Sequence, residues 1–420
     1  MYLKYIFKDK HQESIIMLST QQLELIKATV PVLRESGVAL TDYFYKRMLN
    51  KHPELKETFN LGHQRSGGQA KALAGAVLAY AENIENLAVL GDAVNLIVAK
   101  HVSLNIQADQ YAIVGENLLH SISEVLSVPM DSDLIAAWAA AYGQLADILI
   151  AAEKQRYAEQ AATQGGWNGW RGFKVVRKQA ESDVITSFYL QPVDGGALPE
   201  YAAGQYVSVR VNVPELGMKQ PRQYSLSQAA TGAELRISVK RESASEAFAA
   251  GYVSNTLHEH VQIGDVIEVS HPNGDFVLQN ADKANVFISA GVGITPMMAM
   301  LGQVAAKNMP QATSFIHACR DEHSLSMKSA VRAIKQRFPQ LQTYLACETA
   351  PVSDLAVQAV GRLDLHVLDR ALLPADADYY VCGPVGFMQS QYHSLLGLGI
   401  APEQIHMEAF NTGGIAAAMA

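Results

Sequence analysis

Cysteine is scarce in this chain of 420 residues, with only Cys319, Cys347 and Cys382. They are too scattered to suggest a disulfide framework, and they lack the close spacings of an iron–sulfur or zinc site. No Cys-x-x-Cys-His run occurs, so any haem is held without a thioether bond. Basic runs are absent too, and 33 Lys and Arg against 41 Asp and Glu leave a net charge of −8. That balance argues against nucleic acid as a partner and against a polybasic membrane patch. Long apolar runs are few. The longest, Leu134 to Ala152, is broken by Tyr142, Gly143, Gln144 and Asp147, and reads as a buried helix, with no stable membrane insertion. No export signal is expected, since residues 1–16 show no convincing one, and the thiols point to a reducing cytoplasm. Hydrolytic constellations are likewise absent.

Proline is scarce from Thr20 to about Tyr157, where apolar residues such as Leu23, Ile26, Val30 and Leu33 recur at helical spacing. From Phe173 the texture becomes short alternating runs bounded by Gly and Pro: 173–176, 185–190, 205–211 and 235–239. These are strands at the spacing of an antiparallel barrel or sandwich. The join, Gly165-Gly166-Trp167-Asn168-Gly169-Trp170, lets the chain turn while its Trp rings seat it. Beyond about Asn280 the pattern alternates strand and helix, which implies a parallel sheet. The fold class expected is therefore an all-α domain, then an antiparallel β-barrel, then an α/β parallel-sheet domain. At this length about three domains can each bury a core. Residues 1–16 mix charge with a few apolar residues and are expected to be a disordered extension or a misassigned start.

Three segments carry chemistry. Arg222-Gln223-Tyr224-Ser225 on a strand offers a cation for a pyrophosphate and a flat wall for a flavin ring. Strand alternation puts Arg222 and Tyr224 on one face, Gln223 and Ser225 on the other. Second, Gly291-Val292-Gly293-Ile294-Thr295-Pro296 follows an apolar strand and opens a helix. Such a turn presents backbone amides to a dinucleotide pyrophosphate, and glycine permits the close approach. Third, Cys382-Gly383-Pro384 ends a later strand. A direct chemical role for Cys382 is not expected. Arg320 suits either a 2′-phosphate or plain surface exposure, so NADH and NADPH both stay open.

Taken in order, these motifs resemble the FAD and NAD(P) domains of ferredoxin–NADP reductase-type flavoproteins. Gly204-Gln205-Tyr206 resembles the family's Pro-Gly-Gln-Tyr, with Ala203 in place of Pro, and Gly251-Tyr252-Val253-Ser254-Asn255 resembles its pyrophosphate turn. The helical half, with Asp42-Tyr43-Phe44-Tyr45, Phe59, Gln69, Leu73 and Lys100-His101, resembles a bacterial globin. The combination is similar to the flavohaemoglobins across nearly the whole chain.

That resemblance implies a nitric oxide dioxygenase that oxidises NO to nitrate with O2. Electrons pass from NAD(P)H through FAD to haem b. It implies His101 as the iron ligand, with Tyr111 and Glu153 completing its hydrogen-bonded network. Tyr45 and Gln69 would face the oxygen ligand, and Phe59 and Leu73 would wedge the haem. Tyr206, Arg222, Gln223, Tyr224, Ser225, Val253, Ser254 and Asn255 would hold FAD. The segment 291–296 with Cys382, Gly383 and Pro384 would hold the nicotinamide nucleotide. Ala409 and Phe410 would cover the flavin, while Lys100 and Glu408 would tune the two potentials. The implied domains are 17–155 for haem, 156–171 as linker, 172–280 for FAD and 281–420 for NAD(P), in a monomer. Two departures stand out: Asn411-Thr412 replaces the family's Gly-Pro, and the loop 243–250 is long. Two other activities remain compatible, an oxygen carrier or sensor with its own reductase, and a general flavin reductase for external acceptors.

Overall fold

The structure, a computed structural model, describes residues 18–65, 67–244, 249–279, 283–353, 357–410 and 419. The expected extension 1–16, Asn411-Thr412 and the centre of the loop 243–250 lie outside the described residues. The chain divides into two compact units. One runs to Thr163 and takes in Trp167–Gly169 and Asn212–Pro221. The other holds Gln164–Gly166, Trp170–Val211 and the chain from Arg222 onward.

The first unit is helical: α1 Thr20–Ala28, α2 Val30–Lys51, α3 Leu61–Arg65, α4 Gly68–Glu82, α5 Gly91–Ser103, α6 Gln110–Leu126 and α7 Asp133–Ala162. Helix starts follow local chemistry. Ser19 and Gln22 form a reciprocal capping box at α1, and the Ser132 hydroxyl accepts from the Ile135 amide at α7. The core gathers Phe44, Tyr45, Met48, Tyr80, Ile122 and Trp138. Helices α2 and α4 pack together at Gly37, where a Cβ would lie 3.6 Å from that of Ala74, an ordinary contact. The Thr41 hydroxyl adds a 2.7 Å bond to the Ala70 carbonyl. Among the described residues, α7 is the one helix apolar and long enough to cross a membrane. Its Ala137, Trp138 and Ala141 are instead buried in the globular core, as the interrupted apolar run led us to expect.

Two six-stranded sheets lie mostly in the second unit, although residues 212–213 and 218–221 of the first sheet belong to the first unit. The first is antiparallel, ordered β4-β3-β6-β1-β2-β5. Its strands are β1 Trp170–Ala180, β2 Ile185–Pro192, β3 Tyr206–Val213, β4 Met218–Ser225, β5 Leu235–Lys240 and β6 Val266–Ser270, with α8 Tyr252–Glu259 between the last two. The second sheet is parallel, ordered β10-β9-β8-β7-β11-β12. It comprises β7 Ala284–Ala290, β8 Thr313–Cys319, β9 Gln342–Cys347, β10 Ala359–Val360, β11 Ala377–Cys382 and β12 Ile405–Glu408. Helices α9 Ile294–Ala306, α10 Lys328–Arg337 and α11 Val385–Gly397 accompany it. Strands β7, β8 and β11 are buried almost throughout, the pattern of a sheet covered on both faces. Strand order reverses between β7 and β11, so the crevice beyond their carboxyl ends is where such sheets take ligands.

Candidate functional site

In the helical unit, His101 lies in the last turn of α5. Its Nδ1 is 2.7 Å from Glu153 Oε1 on α7 and 3.0 Å from the Tyr111 hydroxyl on α6. The Tyr111 hydroxyl donates to the same Glu153 oxygen at 2.5 Å. A carboxylate only accepts, so Nδ1 carries the imidazole proton and Nε2 carries the lone pair. That Nε2 has no partner among the described residues. Burial, and then the Glu153 charge, raise the Tyr111 pKa, so the phenol stays a donor. Tyr142 braces the network by donating to the Tyr111 carbonyl at 2.6 Å. Only a glycine at 115 leaves room for the Tyr142 ring, since a Cβ there would come within 2.5 Å of it. Tyr157 donates to the Ile106 carbonyl at 2.7 Å. Sequence reasoning missed Tyr142 and Tyr157. Their signal was the spacing of Tyr142, Glu153 and Tyr157 at 11 and 4 residues, which puts all three on one face of α7.

Tyr45 on α2 is 7 % exposed, and its hydroxyl has no partner among the described residues. Burial alone raises its pKa, so it keeps its proton. The Tyr45 ring meets Phe59 edge to face with centroids 5.7 Å apart. Phe59 and Leu73 both pack against the core that contains Tyr45. Gln69 on α4 accepts from Gln64 Nε2 at 2.7 Å, a partner that spacing alone did not suggest. Lys100 precedes His101 on α5. Among the described residues no three His, Cys, Asp or Glu side chains gather as they would around a bare metal ion. The donor set fits a haem: one imidazole lone pair, set by its second nitrogen, and a buried phenol without a partner.

In the antiparallel sheet, β4 carries Arg222, Gln223, Tyr224 and Ser225. Gln223 donates to the Ser208 hydroxyl at 3.1 Å. The buried Tyr224 hydroxyl has no partner among the described residues, and burial raises its pKa. Tyr206 opens β3, paired backbone to backbone with Asn273. Its ring lies so near Gly274 that a Cβ there would stand 2.9 Å away. Gly204 has φ of +107°, and a Cβ there would fall 2.2 Å from the Phe276 carbonyl oxygen. The family-like Gly251-Tyr252-Val253-Ser254-Asn255 proves to be the start of α8, with Gly251 as an N-cap lacking a capping side chain. Asn255 Nδ2 donates to the Gly251 and Glu242 carbonyls at 2.8 and 2.9 Å. Ser254 accepts from the Glu242 amide at 3.3 Å. An uncapped helix start and an orphaned phenol fit a flavin with its pyrophosphate.

At the switch point of the parallel sheet, β7 ends in the turn Gly291–Gly293 and α9 follows without a capping side chain. Gly291 has φ of +53°. A Cβ on Gly293 would lie 2.2 Å from the Cys382 carbonyl oxygen, so the two loops touch backbone to backbone. A Cβ on Gly383 would lie 2.8 Å from the Phe387 ring. Val292 accepts from the Thr295 hydroxyl at 3.0 Å, and Ile294 and Pro296 are buried in the first turn of α9. Pro384 is the N-cap of α11. Cys382 is wholly buried, and burial followed by the nearby Glu408 raises its thiol pKa. Glu408 pairs with Cys382 across β12 and β11. Its Oε2 is buried without a partner among the described residues, and burial pushes the carboxyl up to about 8, with a smaller push from Asp275. Ala409 packs on the parallel-sheet core, while Phe410 is 39 % exposed. A glycine-lined crevice at an uncapped helix start fits a nicotinamide nucleotide.

The folds and sites together define an oxidoreductase in which a globin is joined to FAD-binding and NAD-binding domains. The globin family model matches residues 42–149, the oxidoreductase FAD-binding domain 173–278, and the oxidoreductase NAD-binding domain 287–393. The flavohemoprotein of Bordetella pertussis is 52 % identical, over 95 % of this chain and 100 % of its own. That of Chromobacterium violaceum is 53 % identical, over 94 % and 99 %. The chain belongs to the flavohemoprotein family. A crystal structure of flavohemoglobin from Malassezia yamatoensis with bound FAD and heme superposes with a TM-score of 0.82 at 28 % identity, covering 94 % of this chain and all of that one. The FAD/NAD-binding domain of nitric oxide dioxygenase from Vibrio cholerae gives 0.53 at 37 % identity, covering 57 % of this chain and 98 % of that one. Haem, FAD and NAD(P) are the cofactors of this oxidoreductase, and its globin binds oxygen.

Proposed function

We propose that the protein is a nitric oxide dioxygenase that consumes NAD(P)H and O2 and converts NO to nitrate in the cytoplasm, working as a monomer. The single observation that carries this reading is the pairing of the His101–Glu153–Tyr111 network with Tyr45, a buried side chain whose hydroxyl has no partner among the described residues. When bound, haem supplies an iron for oxygen chemistry, and FAD exchanges a nucleotide's hydride for single electrons. His101 would hold the iron through Nε2, and Glu153, accepting at Nδ1, makes that imidazole a stronger electron donor. Tyr45 stays protonated and offers a donor to a negatively polarised oxygen atom, with Gln69 as the neighbouring polar group. Such a bond contributes about 1.5–3 kcal/mol, enough to change oxygen escape roughly ten- to a hundredfold. Phe59 and Leu73 would exclude water and hold the ring edge.

In the reductase, Arg222, Tyr224, Ser225, Gln223 and Tyr206, with the α8 start at Val253, Ser254 and Asn255, would orient FAD. The turns 291–296 and 382–384 would orient the nucleotide, Ala409 and Phe410 would cover the flavin, and Lys100 and Glu408 would tune the two potentials. We take haem, FAD and NAD(P) domains at 17–155, 172–280 and 281–420, joined by 156–171; the matched family intervals fall inside them.

Stopped-flow mixing of NO with the oxygenated holoprotein and NADH tests the reading. Rapid stoichiometric nitrate is expected, slowed about tenfold or more in Tyr45→Phe. Persistence of the oxygenated form with little nitrate would replace the dioxygenase with an oxygen carrier or sensor. Unchanged turnover in His101→Ala would replace it with a general flavin reductase.

A further inference from the structure

Strands β8 and β9 run parallel, and their register sets Cys319, the last residue of one, opposite Cys347, the last residue of the other. The two Sγ atoms are 2.8 Å apart, and Cys319 Sγ also lies 3.7 Å from the Ala346 carbonyl. Neighbouring strands stand about 4.8 Å apart, within the Cα separation that a disulfide accepts. Beyond the strand ends the backbones are already tied: the Glu348 amide donates to the Cys319 carbonyl and the Thr349 amide to the Arg320 carbonyl, both at 3.0 Å. Leu325, Leu345 and Val357 enclose the thiols in a small cluster separate from the main cores. Cys382, the third cysteine, lies on β11 and has no place in this cluster.

We propose that Cys319 and Cys347 are a redox-modification site, closing to a reversible intramolecular disulfide when a low-molecular-weight disulfide such as oxidised glutathione is the oxidant. One thiol, deprotonated, attacks the external disulfide; its S–S bond breaks, and one glutathione leaves as thiolate and takes up a proton. The second protein thiol, deprotonated in turn, attacks the protein sulfur of the mixed disulfide and expels the other glutathione. The protein pair loses two electrons, and one glutathione disulfide becomes two thiols. Cys319 is the attacking group, being 6 % exposed against 0 % for Cys347. Its thiol pKa is raised by burial and then by Cys347, so the attack is slow and answers to sustained oxidising load. The product locks the ends of β8 and β9 at the carboxyl edge of the nucleotide sheet. Closing a loop of this length raises the thermal midpoint by roughly 5 °C or more.

The experiment incubates full-length holoprotein with oxidised glutathione, unfolds it in urea while blocking remaining thiols with iodoacetamide, and maps the tryptic peptides by mass. The expected product joins the Cys319 and Cys347 peptides with loss of two hydrogens, leaves Cys382 alkylated, and is reversed by dithiothreitol. Its thermal midpoint rises in the wild type and stays put in Cys319→Ser and in Cys347→Ala. All three cysteines alkylated after prolonged incubation would overturn the proposal. So would a stable glutathione adduct on Cys319, because Cys347 would then have failed to resolve it.

Discussion

A single carboxylate oxygen organises the helical site. Glu153 Oε1 accepts from both His101 and Tyr111, which leaves one tautomer for the imidazole and one direction for the lone pair. The opposite electrostatic situation holds at Glu408, whose Oε2 is buried without a partner among the described residues. Burial there favours the neutral acid and lifts its pKa to about 8. In the unfolded chain a Glu ionises near 4.3, so the folded state binds the extra proton between those values. Its stabilising contribution is complete below the unfolded pKa and drains away as pH rises through the folded one. Glu408→Gln, which stays neutral, removes that dependence. The thermal midpoint of the variant should therefore gain on wild type between about pH 4.5 and 8, and run parallel above it. Equal slopes for both proteins across this window would show that Glu408 is ionised in the fold.

Among the elements, the turns beyond β7 and β11 are set by the absence of side chains. Gly293→Ala would drive a methyl into the Cys382 carbonyl at 2.2 Å, against backbone on both sides, so one loop must move. NADH-dependent flavin reduction should fall at least tenfold while bound FAD and the haem spectrum stay as in wild type. Loss of FAD along with activity would place the damage in the barrel instead. This turn was legible in the sequence because a Gly-x-Gly after an apolar strand has a local physical cause. The motif on β4 was legible for the same reason. Other contacts were not. Gln69 with Gln64, Gly115 with the Tyr142 ring, and Cys319 with Cys347 depend on helix packing and strand register. Neither follows from spacing along the chain. The His101, Tyr111 and Glu153 constellation spans three helices and was reached through resemblance alone, since intervals of 10 and 42 residues carry no periodic signal.

For the whole molecule, the change from helix to antiparallel to parallel sheet was readable because each texture has its own hydrophobic period. Which residues tie the units into one catalyst was not, and chemistry on the two units can be separated by experiment. Only Thr163–Gly169 lies between the end of α7 and the start of β1. A short tether holds its ends at an effective concentration in the millimolar range, far above micromolar protein in an assay. Electron delivery should then be confined to a single chain. His101→Ala retains an intact reductase and Gly293→Ala an intact haem site, so each lacks what the other has. Mixed at micromolar concentration, the two variants should form nitrate no faster than the sum of their separate rates, while each keeps its own half-activity: NADH-driven reduction of ferricyanide for the first, oxygen binding for the second. Recovery of wild-type nitrate formation on mixing would mean that electrons pass readily between molecules, and that the covalent join is not what couples flavin to haem.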